Sequence, residues 1–281
     1  MKIIKQIEEL RSIIRAWRKE GLTVGLVPTM GYLHEGHKSL IVKAVSENDR
    51  VVVSDFVNPT QFGVNEDLSS YPRDIERDAA LCQEAGASLI FHPEPEEMYF
   101  RDNCTFVDMD GLTKGLCGMT RPTHFRGVCT VVSKLFHIVT PDKAYFGEKD
   151  AQQLAVIRRM VRDLNFGITI VGCPIVREKD GLAMSSRNTY LNTEERKAAL
   201  ILHKSLMLGE KMMKAGERDA EIIKAAMVKN METEPLARIH YVEIVDAETL
   251  ENVVKIEKPV LTATAVYIGK TRLIDNFGFE L

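Results

Sequence analysis

Short apolar runs alternate with longer stretches of helical period through residues 1–175. LTVGLV (22–27), RVVVSDFV (50–57), ASLIF (87–91), KAYF (143–146) and ITIVG (168–172) are β-branched and apolar with turn residues at their ends, which predicts strands. Helical spacing runs over Glu8 to Lys19, His37 to Ser46, Arg73 to Glu84, Val131 to Val139 and Ala151 to Leu164. In the last of these, Leu154, Ile157, Val161 and Leu164 fall on one face. Near-continuous apolar strands separated by helices predict a doubly wound parallel sheet covered on both faces.

The pattern changes in residues 176–281. Asn192 and Glu195 form a capping-box pair that opens one long helix ending at Gly216, and a second helix is expected over Ala220 to Thr233. ARIHYVEIVD, PVLTATAVYIG and TRLIDN then read as strands joined by turns too short for parallel crossovers. A smaller α+β domain with an antiparallel sheet is expected here.

Composition narrows the function classes. Hydrophobic residues make up 45% and charged residues 27%, an ordinary globular balance. Lys+Arg total 37 against Asp+Glu 40, so a broad nucleic-acid-binding face is disfavoured. No apolar run approaches the ~20 residues of a membrane span. MKIIKQIEELRSII mixes both charge signs at helical spacing, unlike a secretory leader. A soluble, cytoplasmic protein is expected. The five cysteines (Cys82, Cys104, Cys117, Cys129, Cys173) include no CxxC pair, so plain thiols are expected rather than a disulfide framework or a metal cluster.

VPTMGYLHEGHKSL (27–40) carries the first candidate chemistry. It follows a strand and opens a helix, where N–H groups and the positive dipole end face the crevice of an α/β sheet. Gly31 and Gly36 would let the backbone approach a phosphate, and His34 and His37 could donate to its oxygens. Both histidines could instead be surface or capping residues at a helix start, but their place at a glycine-rich strand–helix junction favours the functional reading. Neither GxGxxG nor GxxxxGK[ST] is present, which disfavours dinucleotide and P-loop chemistry.

Two other stretches fall at strand ends. FVNPTQFGVNEDLSSYPRD (56–74) brings Asn58, Gln61 and Tyr71 to the carboxyl end of the second strand, and YFGEKDAQQL (145–154) brings Lys149 to a phosphate-binding position. Asp150 and Gln153 also fit a capping box. LAMSSRN (182–188) offers two hydroxyls and a fixed cation in Ser185, Ser186 and Arg187.

HEGH is similar to the HxGH signature of the nucleotidyltransferase and class I aminoacyl-tRNA synthetase superfamily, whose sheet is Rossmann-like. PTMGYLHEGH, FVNPTQF, HFRG (124–127), FGEKD (146–150) and MSSRN (184–188) together closely resemble the pantoate–β-alanine ligase family. That resemblance implies ATP-dependent condensation of pantoate with β-alanine through a pantoyl-adenylate, with release of AMP and pyrophosphate. It implies ATP as co-substrate, Mg²⁺ carried mainly by the ATP phosphates, no separate protein metal site, and a homodimer. Residues 1–175 would bind ATP and pantoate, and 176–281 would form a lid. Carried over residue by residue, Met30, Gly31, Tyr32, Leu33, His34, Glu35, Gly36 and His37 would line the ATP site, with His37 as proton donor and His34 beside it. Gly147, Glu148, Lys149, Asp150, Val176, Met184, Ser185, Ser186 and Arg187 would complete it, with Lys149 in a catalytic role. Gln61 and Gln153 would hold pantoate, and Gln61 would also touch β-alanine.

A plain nucleotidyltransferase would call for Arg or Lys where Gln61 stands, and a synthetase fragment would need a tRNA-binding extension. A nucleotide-binding regulatory module would not need His34, His37, Lys149 and the serine loop together. The chain departs from the resemblance at two positions. Val64 stands where proline is frequent, and Asp55 interrupts an apolar strand. A buried Asp55 is expected near the strand end with a cationic or N–H partner.

Overall fold

All five expected strands of the first region pair in parallel, and a sixth joins them at one edge. The computed structural model describes residues 1–64 and 66–281, so Asn65, within the 56–74 stretch above, lies outside the described residues. The chain runs β1 (Lys2–Ile4), α1 (Ile7–Lys19), β2 (Val24–Thr29), α2 (Glu35–Glu47), β3 (Arg50–Asp55), α3 (Ile75–Glu84) and β4 (Leu89–Phe91). Next come α4 (Pro95–Met98), α5 (Leu116–Thr120), α6 (His124–Val139), β5 (Lys143–Gly147), α7 (Ala151–Asp163) and β6 (Thr169–Cys173). These six strands lie in the order β1-β4-β3-β2-β5-β6. Strand β1 has only three residues, too few for a period to register, and pairs with β4 through Ile3 and Ile90.

The chain turns from β2 toward β3 on one side and from β5 toward β6 on the other, while β2 and β5 are neighbours. The carboxyl ends of β2 and β5 therefore flank the switch point, where the backbone leaves an open crevice.

Two expectations for the helices shift. Helix α6 begins at His124 rather than Val131, because Gly127 lowers the intrinsic signal of its first turns. Gly127 is there for contact: a Cβ would stand 2.5 Å from the Thr60 carbonyl and 2.6 Å from Gln61 Cα. In α7, Leu154, Ile157 and Met160 are buried, whereas Leu164 falls past the helix end and is 51% exposed.

The second region contains α8 (Thr193–Ala198), α9 (Leu200–Lys214), α10 (Ala220–Met231), β7 (Ala237–Asp246), β8 (Val260–Ile268) and β9 (Thr271–Phe279). Asn192 caps α8 through Glu194 and Glu195 N–H, with Glu195 answering on Asn192 N–H. The single expected helix is interrupted at Ala199, whose carbonyl accepts from Leu202 N–H in a tighter turn. The β7-β8-β9 sheet is antiparallel, and β8 is buried on both faces. Leu261, Ala263 and Ala265 join the core beneath the parallel sheet, while Val260, Val266 and Ile268 pack with α9 and α10. Strand periodicity thus lets one strand serve two cores. Among the described residues, no helix is long and apolar enough to cross a membrane.

Candidate active site

The strand–helix junctions after β2 and β5 face a common cleft of about 1440 Å³, its open mouth included. Of the residues expected to bind nucleotide, Met30, His34, Gly36 and His37 line it from the first junction. Gly147, Lys149, Asp150 and Gln153 line it from the second, and Val176, Met184, Ser185, Ser186 and Arg187 close one side. Gln61 lies deeper, 7% exposed. Five expected residues stand outside the lining. Gly31 and Tyr32 form the turn beneath it, Leu33 is buried in the core, and Glu35 and Glu148 point to solvent.

His34 and His37 are helix caps and cleft donors at once. His34 Nδ1 accepts the Gly36 N–H at 3.1 Å, and His37 Nδ1 accepts the His34 N–H at 3.3 Å. This hydrogen-bond pattern assigns the proton of each neutral ring to Nε2. The ring centroids are 4.0 Å apart. Burial, then the Lys149 and Arg77 charges, lower the His34 pKa to about 4. Burial, then His34 and Lys149, hold His37 well below its ordinary range. At neutral pH the pair offers two uncharged N–H donors, not two cations.

The second junction is built differently. A 3₁₀ turn over Glu148–Asp150 precedes α7, and the Asp150 side chain makes no capping hydrogen bond. The capping box read from Asp150 and Gln153 does not form, because Asp150, at φ −96° and ψ 57°, lacks the extended conformation of an N-cap. Asn276 of β9 instead donates to the Glu148 and Lys149 carbonyls at 3.1 and 2.8 Å. Lys149 makes no ion pair among the described residues.

Both cleft arginines are already engaged. Arg187 holds Asp67 through two hydrogen bonds of 2.9 and 2.8 Å, and Arg121 holds Glu66 likewise at 2.6 and 2.5 Å. Burial would raise both carboxylates, but the guanidinium groups prevail and keep them below the ordinary range. Ser186 Oγ donates to the Tyr32 carbonyl at 3.2 Å, which seats the serine loop against the first junction.

Around Gln61 the groups are closely hydrogen-bonded, and the Arg121 guanidinium donates to the Gln61 carbonyl at 3.4 Å. Asn58 Nδ2 donates to Gln61 Oε1 at 3.1 Å and to the Gly127 carbonyl at 3.2 Å. Tyr99 OH and Thr60 Oγ1 donate to Asn58 Oδ1. His124 Nδ1 lies 3.0 Å from the Gln61 carbonyl, and burial followed by the Arg121 charge lowers its pKa to about 4. Asn58, Tyr71, Arg121 and His124 also line the cleft, although sequence reasoning gave them no role. Their signal lay in the FVNPTQF segment, in SSYPRD and in RPTHFRG.

Comparison with known proteins agrees with this architecture along nearly the whole chain. The family model for pantoate–β-alanine ligase matches residues 2–278. The chain is 62% identical to the pantothenate synthetase of Clostridium acetobutylicum and 64% identical to that of Enterococcus faecalis, each over 281 residues and 100% of both chains. The crystal structure of pantothenate synthetase from Thermus thermophilus superposes with a TM-score of 0.93 at 46% identity, covering 99% of each chain. That of a pantoate–β-alanine ligase from Francisella tularensis, complexed with beta-gamma ATP and beta-alanine, superposes with a TM-score of 0.80 at 34% identity, covering 99% of this chain and 97% of the other.

Proposed function

This chain belongs to the pantoate–β-alanine ligase family, and on that premise we propose how its own residues carry the reaction. The enzyme condenses pantoate with β-alanine using ATP, and releases AMP and pyrophosphate through a pantoyl-adenylate. The observation that carries the residue assignment is the opposition of two neutral imidazole donors and the Lys149 ammonium across one cleft, with neutral Gln61 at its depth.

Attack of the pantoate carboxylate on the α-phosphate brings two anions together. Lys149 offsets their repulsion, and the His34 and His37 Nε2–H groups donate to phosphate oxygens as charge develops on departing pyrophosphate. Bound anions raise the affinity of both rings for a proton, but a second proton would have to displace the backbone N–H held at Nδ1, so His37 assists the leaving group by hydrogen bonding from Nε2–H in its neutral state. The Ser185 hydroxyl adds a donor to the phosphates, the Ser186 hydroxyl does so by leaving the Tyr32 carbonyl, and Arg187 joins them by exchanging Asp67 for phosphate oxygen. Gln61 and Gln153 bind the pantoate alcohols, which need donors and acceptors but no charge. Gln61 also meets β-alanine.

Mg²⁺ enters on the ATP phosphates, with Asp150 in the same cleft. Residues 176–281 cover the cleft through the serine loop and through Asn276 on the Lys149 turn. The working form is a cytoplasmic homodimer.

The decisive experiment is exchange of radiolabelled pyrophosphate into ATP with pantoate as the sole acid. Exchange without β-alanine is expected. Exchange that strictly needs β-alanine would replace the free adenylate with a concerted ternary reaction.

A further inference from the structure

Asp55, the residue that interrupts the apolar pattern of β3, lies directly beneath the turn that carries His34. It is 4% exposed, and a Cβ on Gly31 would stand 2.4 Å from its Oδ1. Gly31 (φ +77°) and Tyr32 (φ +50°) are consecutive left-handed residues, a conformation that a non-glycine residue keeps only when its surroundings enforce it. Asp78 of α3 enforces it: its Oδ2 and Oδ1 accept the Tyr32 and Leu33 N–H groups, each at 2.6 Å. Asp78 is 1% exposed, and the two carboxyls press on the same three-residue turn, Asp78 through the Tyr32 and Leu33 N–H groups and Asp55 from beneath Gly31. Among the described residues no donor reaches the buried Asp55 Oδ2.

Other charged groups bear on this pair from the surrounding elements. His92, after β4, places Nδ1 2.7 Å from the Asp55 carbonyl and 3.5 Å from Asp55 Oδ1, with Lys5 acting on it from beyond β1. Arg77 stacks on the Tyr32 ring at 4.6 Å, and the buried Cys82 thiol, pushed up to about 12, stays neutral. Two buried carboxylates against one three-residue turn cannot both ionise without strong repulsion. A proton on one of them supplies the donor that Asp55 Oδ2 lacks. Burial, and after it the Asp55 charge, raise Asp78 to about 6.

We infer that Asp55 is a positioning residue: with Asp78 it forms a proton-sharing carboxyl pair that seats the Gly31–Leu33 turn and so aims His34 and His37. This rests on the reading of those two rings as phosphate donors. While the pair holds its proton, Asp78 keeps both N–H bonds and one negative charge faces His92. When the proton leaves, two like charges press on the turn from below, and the start of α2 shifts with it.

The test measures MgATP affinity by calorimetry and thermal unfolding, both from pH 5 to 7.5, on the full-length protein and on Asp55→Asn. The asparagine amide permanently donates what the shared proton donates. The wild-type Kd should weaken relative to the variant by threefold or more across this range; titration of ATP itself is common to both proteins and cancels. Asp78 has a folded pKa above its unfolded value, so its contribution to stability is complete below about pH 4 and is lost as pH rises toward 6. The unfolding-temperature gap should therefore widen in favour of Asp55→Asn from pH 5 to 6, and His92, which Asp55 holds above its ordinary range, adds a separate widening only above about pH 6.5. Asp55→Val, which removes the second carboxyl but leaves Asp78 buried, should show a shallower pH slope than wild type and serves if the asparagine variant folds poorly.

A Kd ratio and a temperature gap both flat with pH would overturn proton sharing. A widening temperature gap with a flat Kd ratio would overturn positioning and leave only a buried pair. The reading of the rings fails separately: a His34→Ala/His37→Ala variant would then bind MgATP with wild-type affinity at pH 7, whatever Asp55 does.

Discussion

The two junctions that face the cleft share a plan, a parallel strand followed by a turn and a helix N-terminus, yet they solve the helix start in opposite ways. After β2, side chains satisfy the backbone: His34 caps Gly36 N–H, and His37 returns to His34 N–H. After β5 no side chain caps α7, and the preceding turn is braced through its carbonyls by Asn276. In the first arrangement each ring is fixed at Nδ1 and presents Nε2–H at a set angle. In the second, the first-turn N–H groups of α7 carry no side-chain cap, and neither the Lys149 nor the Gln153 side chain makes a hydrogen bond among the described residues. One junction is a rigid neutral donor and the other an adjustable cation, a division suited to a reaction in which charge first gathers and then disperses.

The largest expected effect comes from breaking the rigid junction. On the role proposed for it, His37→Ala removes a donor to departing pyrophosphate, worth on the order of 2.7–4 kcal/mol of transition-state stabilisation, so turnover with saturating ATP should fall ~100-fold or more. The lost cap bond should lower stability by only about 0.5–2 kcal/mol. Turnover near wild type would mean that the ring is a cap and nothing more. Neutrality of the pair also has a pH signature. The unfolded chain protonates His34 below about pH 6.5, whereas the folded ring resists until about 4. Stability is therefore complete above 6.5 and falls as pH drops toward 4, by up to about 1.4 kcal/mol per unit for this ring. Unfolding temperatures of His34→Asn should show a shallower acid limb than wild type.

The adjustable junction should respond by reaction step. Lys149 is the cleft cation with no ion pair among the described residues, since Arg121 and Arg187 hold Glu66 and Asp67. Lys149→Ala should slow adenylate formation by roughly ten- to a hundredfold, the ~1.5–3 kcal/mol of a charged hydrogen bond. Amide formation from supplied pantoyl-adenylate and β-alanine should slow much less, because a neutral amine attacks and less negative charge is concentrated. Single-turnover measurements of the two halves decide it. Equal losses would place Lys149 on the acyl phosphate common to both steps, and no loss in either would leave it a solvated surface lysine.

Both junctions were legible from the sequence because strand period, helix period and glycine-rich turns coincide there. What each junction does with its caps was not. HEGH and DAQQ both permit capping, but the second box depends on the backbone of Asp150, which the 3₁₀ turn and Asn276, 127 positions beyond Lys149, decide. The pairs Arg187–Asp67 and Arg121–Glu66 span 120 and 55 positions, so no local pattern could disclose them. Asp55 was visible as an anomaly, and its partner His92 only became apparent once β3 and β4 were adjacent. Short elements escaped for a simpler reason: the three residues of β1 contain less than two full strand periods.

The smallest effect separates the glutamines and tests whether α7 is truly uncapped. Gln61 is buried in a network, with Asn58 donating to its Oε1 and its Nε2 directed 2.9 Å from Met30 Sδ, so it is oriented before any substrate arrives. Gln61→Ala should impair use of both pantoate and β-alanine. Gln153, on the first turn of α7, has no such network and no capping partner. Its loss should remove one neutral hydrogen bond of about 0.5–1.5 kcal/mol, raising KM for pantoate roughly two- to twelvefold with little change for β-alanine. Because no cap is lost, unfolding stability of Gln153→Ala should stay within about 0.5 kcal/mol of wild type. A loss of about 1 kcal/mol with intact kinetics would show that the Asp150–Gln153 box forms in solution after all. The two junctions would then differ in charge alone, and the free N–H groups at the start of α7 could no longer be counted as part of the adjustable site.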